Sequence, residues 1–330
     1  MRTQRVWEVI QGLGTYWSVA AAVELGLFER LAQGPATTAE LAGGCGAVEN
    51  RMSTLLGGLV AAGLVTTAGG LYELTEEART FLVPGLPGYM GTLVLKAPGP
   101  HENWPVLADT VRGRPPPHGV ETDGGSFHRE LVSATFATQY RTGLRTADAL
   151  RLTGSPAPLR ILDLGSGAAP WTVALLEALP QSVAVVNDLP EVIGVAEEHL
   201  ARRGLRQRVE LLEGDYLGVA LESDAFDVSV LAHVCRAEGT EGAERLVAKA
   251  VGALRPGGLL IVADYFVDDG RLGPPHALLL GVTMMASTRQ GTTFTLSEGL
   301  GWLTAAGIAS PEVLMPLPPT TVLAGRKPIP

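Results

Sequence analysis

The stretch Arg160-Ile161-Leu162-Asp163-Leu164-Gly165-Ser166-Gly167-Ala168-Ala169-Pro170 decides how the rest of this chain is read. An apolar run of β-formers breaks at Gly165, residues without bulky side chains follow, and Pro170 opens a helix. Small residues let the backbone approach a ligand closely, and the first turn of the helix points its unpaired N–H groups at it. The stretch therefore reads as a cradle for a nucleotide-type cofactor.

Beyond it, strands alternate with helices. Strands are expected at 161–164, 183–187, 209–213, 226–232 and 259–263, and helices at 170–179, 192–203 and 241–254, the last stopped by Pro256-Gly257-Gly258. Such alternation builds a doubly wound, mostly parallel α/β sheet. Two apolar runs, 313–317 and 321–324, add an antiparallel pair on its edge and bring the count to seven strands.

Upstream, the first hundred residues read as helical. Small and apolar residues from Tyr16 to Leu31 leave little polar surface, as in a helix pressed against a partner. Thr37 and Glu40 have capping-box spacing, a helix over 49–62 ends at Gly63, and 64–67 with 71–74 flank the turn Ala68-Gly69-Gly70 as a hairpin. Helices followed by a small hairpin describe a winged helix. Charge argues against DNA, because residues 1–95 hold five arginines against eight glutamates, and the helix over 49–62 carries only Arg51. Packing against a second copy, as a homodimer, suits the weakly charged surface better. From 97 to 155 the chain is helical in parts but broken by the prolines at 98, 100, 105 and 115–117, which forbid regular structure there, and this is a helical connector. Its Phe127, Leu131, Phe136 and Tyr140 recur at roughly helical spacing and present an apolar face for capping a site. The expected division is a winged-helix-like domain over 1–96, the connector over 97–155 and a cofactor-binding domain over 156–330.

Composition bounds the function. With 330 residues, 46% hydrophobic and 18% charged, the chain buries enough core for two domains. No apolar run reaches the roughly 18 residues of a spanning helix and no signal peptide opens the chain, so a cytoplasmic protein without membrane partners is expected. Cys45 and Cys235 are the only cysteines, which provides neither a disulfide framework nor a zinc site. A net charge of −9 disfavours nucleic acid as a partner.

In a doubly wound sheet, ligands bind beyond the carboxyl ends of the strands. The residues there are Gly165 to Ala168, Asp188, Asp215-Tyr216, His233 to Arg236 and Asp264. Asp188 follows Gly165 by 23 residues, near the spacing of about 20 at which a carboxylate meets a ribose diol.

Taken in order, Asp163-Leu164-Gly165-Ser166-Gly167, Asp188-Leu189-Pro190, Gly214-Asp215-Tyr216 and Leu254-Arg255-Pro256-Gly257-Gly258 resemble the motifs of class I S-adenosylmethionine-dependent methyltransferases. Glu24-Leu25-Gly26-Leu27-Phe28 narrows the resemblance to small-molecule O-methyltransferases with an N-terminal dimerisation domain. The likeness spans nearly the whole chain and is weakest over 97–155. It implies a Rossmann-like sheet, S-adenosylmethionine as cofactor and a homodimer. It further implies that Asp163, Gly165 and Gly167 lie along the cofactor's amino-acid portion, Asp188 with Leu189 at the ribose hydroxyls, and Asp215 with Tyr216 at the adenine. Ala169 stands where the family often has its last glycine.

The catalytic positions depart from the family. Its histidine base precedes the proline of Pro-Gly-Gly by 20 residues, and that register falls here on Arg236, which is no base near neutral pH. The acid that orients the histidine falls near Thr293. The remaining catalytic candidates are Arg236 itself, His233, Asp264 and His128, the last on the capping helix as a replacement base. Arg236 either attracts an anionic acceptor or pairs with Glu238 or another acid. Trp104, Phe136, Tyr140, Met284 and Met285 are the candidates for the acceptor pocket, with core packing as the alternative role. No closely spaced histidine pair marks a metal site, and none is expected.

Loss of the base leaves methylation of an already acidic group open, because in-line positioning is worth up to ~7–11 kcal/mol and a base only about 10²–10⁴-fold. The reading is O-methylation of a small aromatic or polyketide-like secondary metabolite, of the kind found in antibiotic biosynthesis. The alternatives are C-methylation of an enolisable substrate, use of the bound cofactor without methyl transfer in a cyclase, decarboxylase or hydroxylase, and a winged-helix ligand-sensing regulator.

Overall fold

Thr37 and Glu40 close a reciprocal capping box at the start of a helix, with Glu40 N donating to Thr37 Oγ1 (3.3 Å) and Thr37 N to Glu40 Oε2 (2.8 Å). The computed structural model describes residues 3–86, 88–122, 126–152, 157–316 and 320–330, in two units, Met1–Ala97 and Pro98–Pro330. The first unit runs α1 (Gln4–Glu24), α2 (Leu27–Ala32), α3 (Thr38–Gly44), α4 (Glu49–Ala61), β1 (Val65–Ala68), β2 (Leu71–Leu74), α5 (Glu76–Phe81) and α6 (Gly91–Lys96). Leu27, Phe28, Leu31, Leu41, Met52, Leu56, Leu59, Val65 and Leu74 form its core. β1 and β2 pair as the expected hairpin, Val65 opposite Leu74. α1 begins twelve residues before Tyr16, where the apolar run suggested, and its leading turns leave Val6, Trp7, Ile10, Leu13 and Trp17 exposed, Leu13 at 68%. These positions share one face at helical spacing, so the chain by itself leaves an apolar stripe in water.

The second unit opens with short helical pieces, among them a 3₁₀ turn (His101–Val106) and α7 (Leu107–Val111), and then the long α8 (Ser126–Ala149). There follow β3 (Arg160–Leu164), α9 (Pro170–Ala178), β4 (Val183–Asp188), α10 (Pro190–Arg202), β5 (Val209–Glu213), β6 (Phe226–Ala232), α11 (Gly239–Ala253), β7 (Leu254–Asp264), α12 (Pro275–Ser287), α13 (Leu296–Ala305), β8 (Ala309–Pro316) and β9 (Thr321–Arg326). The strands form one seven-stranded sheet in the order β5-β4-β3-β6-β7-β9-β8, parallel from β5 to β7 and antiparallel at β9 and β8. Every residue of β6 is buried, as a central strand covered on both faces requires. α8, although it comes from the expected connector, packs on α9 and α10 within this unit. At its Gly143, a Cβ would stand 2.9 Å from Ala174 Cβ.

Pro256-Gly257-Gly258 differs from expectation. Rather than separating helix from strand, it lies inside β7, where the register slips from Phe226↔Leu254 to Val228↔Leu259. Proline cannot donate to the ladder and glycine tolerates a bulge, so the three residues form an irregular strand start. The boundary at 155/156 and residue 317 of the expected edge strand lie outside the described residues. No helix among the described residues is long and apolar enough to cross a membrane.

Candidate functional site

The strand-end turn is built from close backbone approaches. Gly165 and Gly167 both take left-handed backbone, with φ of +67° and +58°. At Gly165 a Cβ would lie 2.5 Å from Val234 Cγ1 and 3.3 Å from the Tyr216 ring, and at Gly167 it would lie 3.0 Å from Val132 Cγ1. Ala169, the N-cap of α9, is also left-handed at φ +56°, which explains why glycine suits this position better. Asp188, at the end of β4, closes the turn, Oδ2 accepting from Gly167 N (2.6 Å) and Oδ1 from Leu189 N (2.8 Å). Burial raises its carboxyl above the ordinary value, against these two bonds and the nearby charge of His128.

Asp163 lies beneath the turn, fully buried, and accepts from Thr172 Oγ1 at 2.6 Å. Burial pushes its acid up to about 7, with the Thr172 bond opposing and Asp188 adding. After β5, Asp215 Oδ1 accepts from Leu217 N (2.8 Å), and Tyr216 donates its hydroxyl to Glu238 Oε1 (2.5 Å). Burial, then Glu238, hold the Tyr216 phenol well above its ordinary value.

A second cluster lies at the ends of β6 and β7. Arg236 sits on a 3₁₀ turn (Cys235–Ala237), and both its backbone N (3.2 Å) and its guanidinium (3.0 Å) reach Asp264. Asp264 also accepts from Tyr265 N (2.9 Å), and the Arg236 guanidinium stands 5.4 Å from the centre of the Tyr265 ring. Glu238, the neighbouring acid in sequence, is occupied by Tyr216, so the expected pairing of Arg236 with an acid is made with Asp264 instead. The Arg236 side chain remains about one-fifth exposed, at 19%.

His233 adopts a left-handed backbone (φ +61°) and is buried, with Nε2 3.4 Å from Thr320 Oγ1. Burial, and then the Arg236 charge, lower its imidazole to about 3 against the pull of Asp264. Its Nδ1 lies 3.8 Å from Asp264 Oδ1, but a neutral ring makes this no ion pair.

The other candidates scatter. His128 lies near Asp188, close enough for its charge to favour that carboxylate, which puts it at the cofactor turn. Phe136 and Tyr140 have their faces taken up by α9 and α10: Phe136 stacks on His199 (4.4 Å), Arg203 lies over both rings, and the Tyr140 hydroxyl bonds Glu177. These contacts fit the packing alternative for both residues, a helix face covered by its neighbouring helices. Trp104 donates Nε1 to Pro98 O (3.0 Å). Met284 meets the Arg236 turn through Gly291, where a Cβ would stand 3.0 Å from Met284 Cε and 2.9 Å from Arg236 O. Met285 is half-buried on the same helix. Thr293 is buried, and a Cβ at Gly281 of α12 would stand 2.7 Å from its Oγ1, so no acid occupies that position. Among the described residues no group of three or more His, Cys, Asp or Glu is arranged to hold a metal ion.

Sequence reasoning missed several parts. Asn187, fully buried, donates Nδ2 to Leu212 O and Gly214 O (2.8 Å each) and ties the ends of β4 and β5. Val132 and Val234 press on the glycine turn, and Ser166 Oγ is buried there without a protein partner. Only Ser166 carried a signal, its place between the two glycines.

A glycine cradle beyond β3, with acids at the ends of β4 and β5, defines a doubly wound α/β protein that holds a nucleotide-type cofactor at its strand ends. An O-methyltransferase domain model matches residues 107–309 and an O-methyltransferase dimerisation domain model residues 7–84. The chain is 31% identical over 314 residues to the 3-hydroxy-5-methyl-1-naphthoate 3-O-methyltransferase of Streptomyces sahachiroi, covering 91% of this chain and 88% of the relative. It is 29% identical to the tetracenomycin polyketide synthesis 8-O-methyl transferase of Streptomyces glaucescens, over 94% of this chain and 93% of that one. It shares the fold of human N-acetylserotonin methyltransferase solved with S-adenosylmethionine, at 24% identity and a TM-score of 0.84 over 99% and 97% of the chains. The chain belongs to the O-methyltransferase family, and its cofactor is S-adenosylmethionine.

Proposed function

We propose that this enzyme methylates oxygen on a small aromatic, polyketide-type metabolite that arrives already anionic, with Arg236 holding the negative charge. S-adenosylmethionine supplies an electrophilic methyl group on a sulfonium. The turn fits it: a Cβ at Gly165 or Gly167 would crowd the turn's own walls, and the buried Ser166 Oγ is there to bond a polar group. On this reading Gly165 and Gly167 lie along the amino-acid portion with Asp163 supporting the turn from beneath, Asp188 with Leu189 takes the ribose hydroxyls, and Asp215 with Tyr216 takes the adenine.

The observation that carries the reading is the Arg236–Asp264 pair at the position where the family resemblance expects a base. His233 does not replace it, because proton transfer from a phenol of pKa ~10 to an imidazole near 3 is uphill by roughly 10 kcal/mol. Asp264 already accepts from Arg236 twice and from Tyr265. The protein's contribution is then positioning and charge. Arg236 presents its free donors to an acceptor carboxylate, acidic phenolate or enolate, a charge-assisted contact, and Met284 lines the same turn. The naphthoate named for the Streptomyces sahachiroi relative has such a carboxylate. The dimerisation-domain match and the exposed stripe on α1 support a homodimer, which we take to be cytoplasmic.

The test uses methyl-labelled cofactor and a series of hydroxynaphthoates whose hydroxyl acidities differ. The apparent pKa of kcat/KM should track each acceptor's own value, and Arg236→His should raise activity on a neutral phenol. One common pKa near 6.5 for all acceptors would reveal a protein base. Tight cofactor binding with product formed but no label transferred would support use of the cofactor without methyl transfer.

A further inference from the structure

Resting on the cofactor assignment above, we infer that Glu238 is a positioning residue: its bond to Tyr216 makes the orientation of Arg236 depend on whether the cofactor is bound. Glu238 is the N-cap residue of α11, and its side chain makes no capping bond. It reaches instead to the Tyr216 hydroxyl, 2.5 Å away. Gly242 makes room for this: a Cβ there would stand 2.7 Å from Glu238 Cβ and 3.0 Å from Oε2.

The link continues on both sides. Tyr216 and Val234 both press on Gly165, so the cofactor turn lies between the adenine loop and the segment bearing Arg236. Ala237 N donates to Val234 O and Glu238 N to Cys235 O, 3.1 Å each, which makes residues 234–238 one tight turn. Arg236, in the middle of that turn, is held by Asp264. Cofactor filling the space beside Asp215 and Tyr216 fixes the Tyr216 hydroxyl, the hydroxyl fixes Glu238, and the turn then presents Arg236 to the acceptor anion. Cofactor binding thereby strengthens binding of the acceptor, and by linkage a bound acceptor strengthens cofactor binding equally.

The experiment is hydrogen exchange of the full-length protein with and without S-adenosylhomocysteine, in wild type, Tyr216→Phe, Glu238→Ala, Glu238→Gln and the double variant Tyr216→Phe/Glu238→Ala. In wild type the ligand should slow exchange over 163–170 and, by roughly tenfold, over 232–240, within the ~5–150-fold range typical of linked sites. In Glu238→Ala the slowing over 232–240 should fall below about twofold while that over 163–170 persists, and in Tyr216→Phe, held at saturating ligand, the slowing over 232–240 should fall equally. Glu238→Gln keeps an acceptor oxygen and should restore most of it, and the double variant should resemble either single one. A merely structural tie would change exchange over 232–240 equally with and without ligand, which overturns the inference. So does wild-type slowing in Tyr216→Phe, a variant that keeps the ring packing even if Glu238→Ala does not fold. Slowing at 163–170 without 232–240 in wild type sinks the inference alone, and no slowing at either sinks the cofactor assignment with it.

Discussion

Replacing Gly165 with alanine puts a methyl group 2.5 Å from Val234 Cγ1 and 3.3 Å from the Tyr216 ring, on backbone at φ +67°. Two effects add. Left-handed backbone with a Cβ costs ~1–2 kcal/mol, and overpacking against a buried, χ1-stiff valine adds ~1–3 kcal/mol. The expected loss is about 2–5 kcal/mol, a large fraction of a domain's stability. Gly204 separates the two effects: its φ is +69° with nothing within 4 Å of a Cβ, so Gly204→Ala should lose only the backbone part, ~1–2 kcal/mol. Val234→Ala in the Gly165→Ala background removes the colliding methyl and should recover ~1–3 kcal/mol. The assay is urea unfolding of the four proteins, with midpoints compared at constant m-value. If Gly165→Ala is no worse than Gly204→Ala, or Val234→Ala recovers nothing, the claim that Val234 packs on the turn is wrong.

The remaining predictions concern charge and packing around the turn. Asp163 has a folded value near 7 against ~3.9 unfolded, so the folded state binds the extra proton. Its contribution is complete below about pH 4 and lost as pH rises to about 7, a swing of roughly 4 kcal/mol. Asp163→Asn should flatten the stability curve across that window, and an unchanged slope in urea midpoints would contradict the assigned burial. Asp188→Asn should weaken S-adenosylhomocysteine binding about 10–100-fold by calorimetry, the worth of charged hydrogen bonds; a change below about threefold would remove Asp188 from the ribose role. Tyr140→Phe breaks the bond to Glu177 and should lower stability by ~0.5–1.5 kcal/mol with acceptor KM unchanged. A rise in KM instead would return Tyr140 to the acceptor pocket.

Much of the fold was legible because it is written in short range. The strand ends at Gly165, Asp188 and Ala232 follow from apolar runs broken by turn residues, and the Thr37–Glu40 box from a spacing of three. What the sequence left open has one cause. Phe136 and Tyr140 sit at helical spacing whether the neighbour is a ligand or another helix, and only packing shows that α9 and α10 cover them. Pro256-Gly257-Gly258 reads as a helix stop, yet the helix ends at Ala253 and the three residues lie inside β7, because whether they join a ladder depends on the partner strand, here β6.

What the sequence by itself determined is the order of strands and helices and the glycine turn, because backbone preference and register act over a few residues. The tertiary structure alone decided that Arg236 meets Asp264, 28 residues on, and that Glu238 turns back 22 residues to Tyr216. Both pairings bring together the ends of different strands. Which acid lies within reach there depends on strand order and helix packing, neither of which is encoded in the neighbourhood of the residue itself.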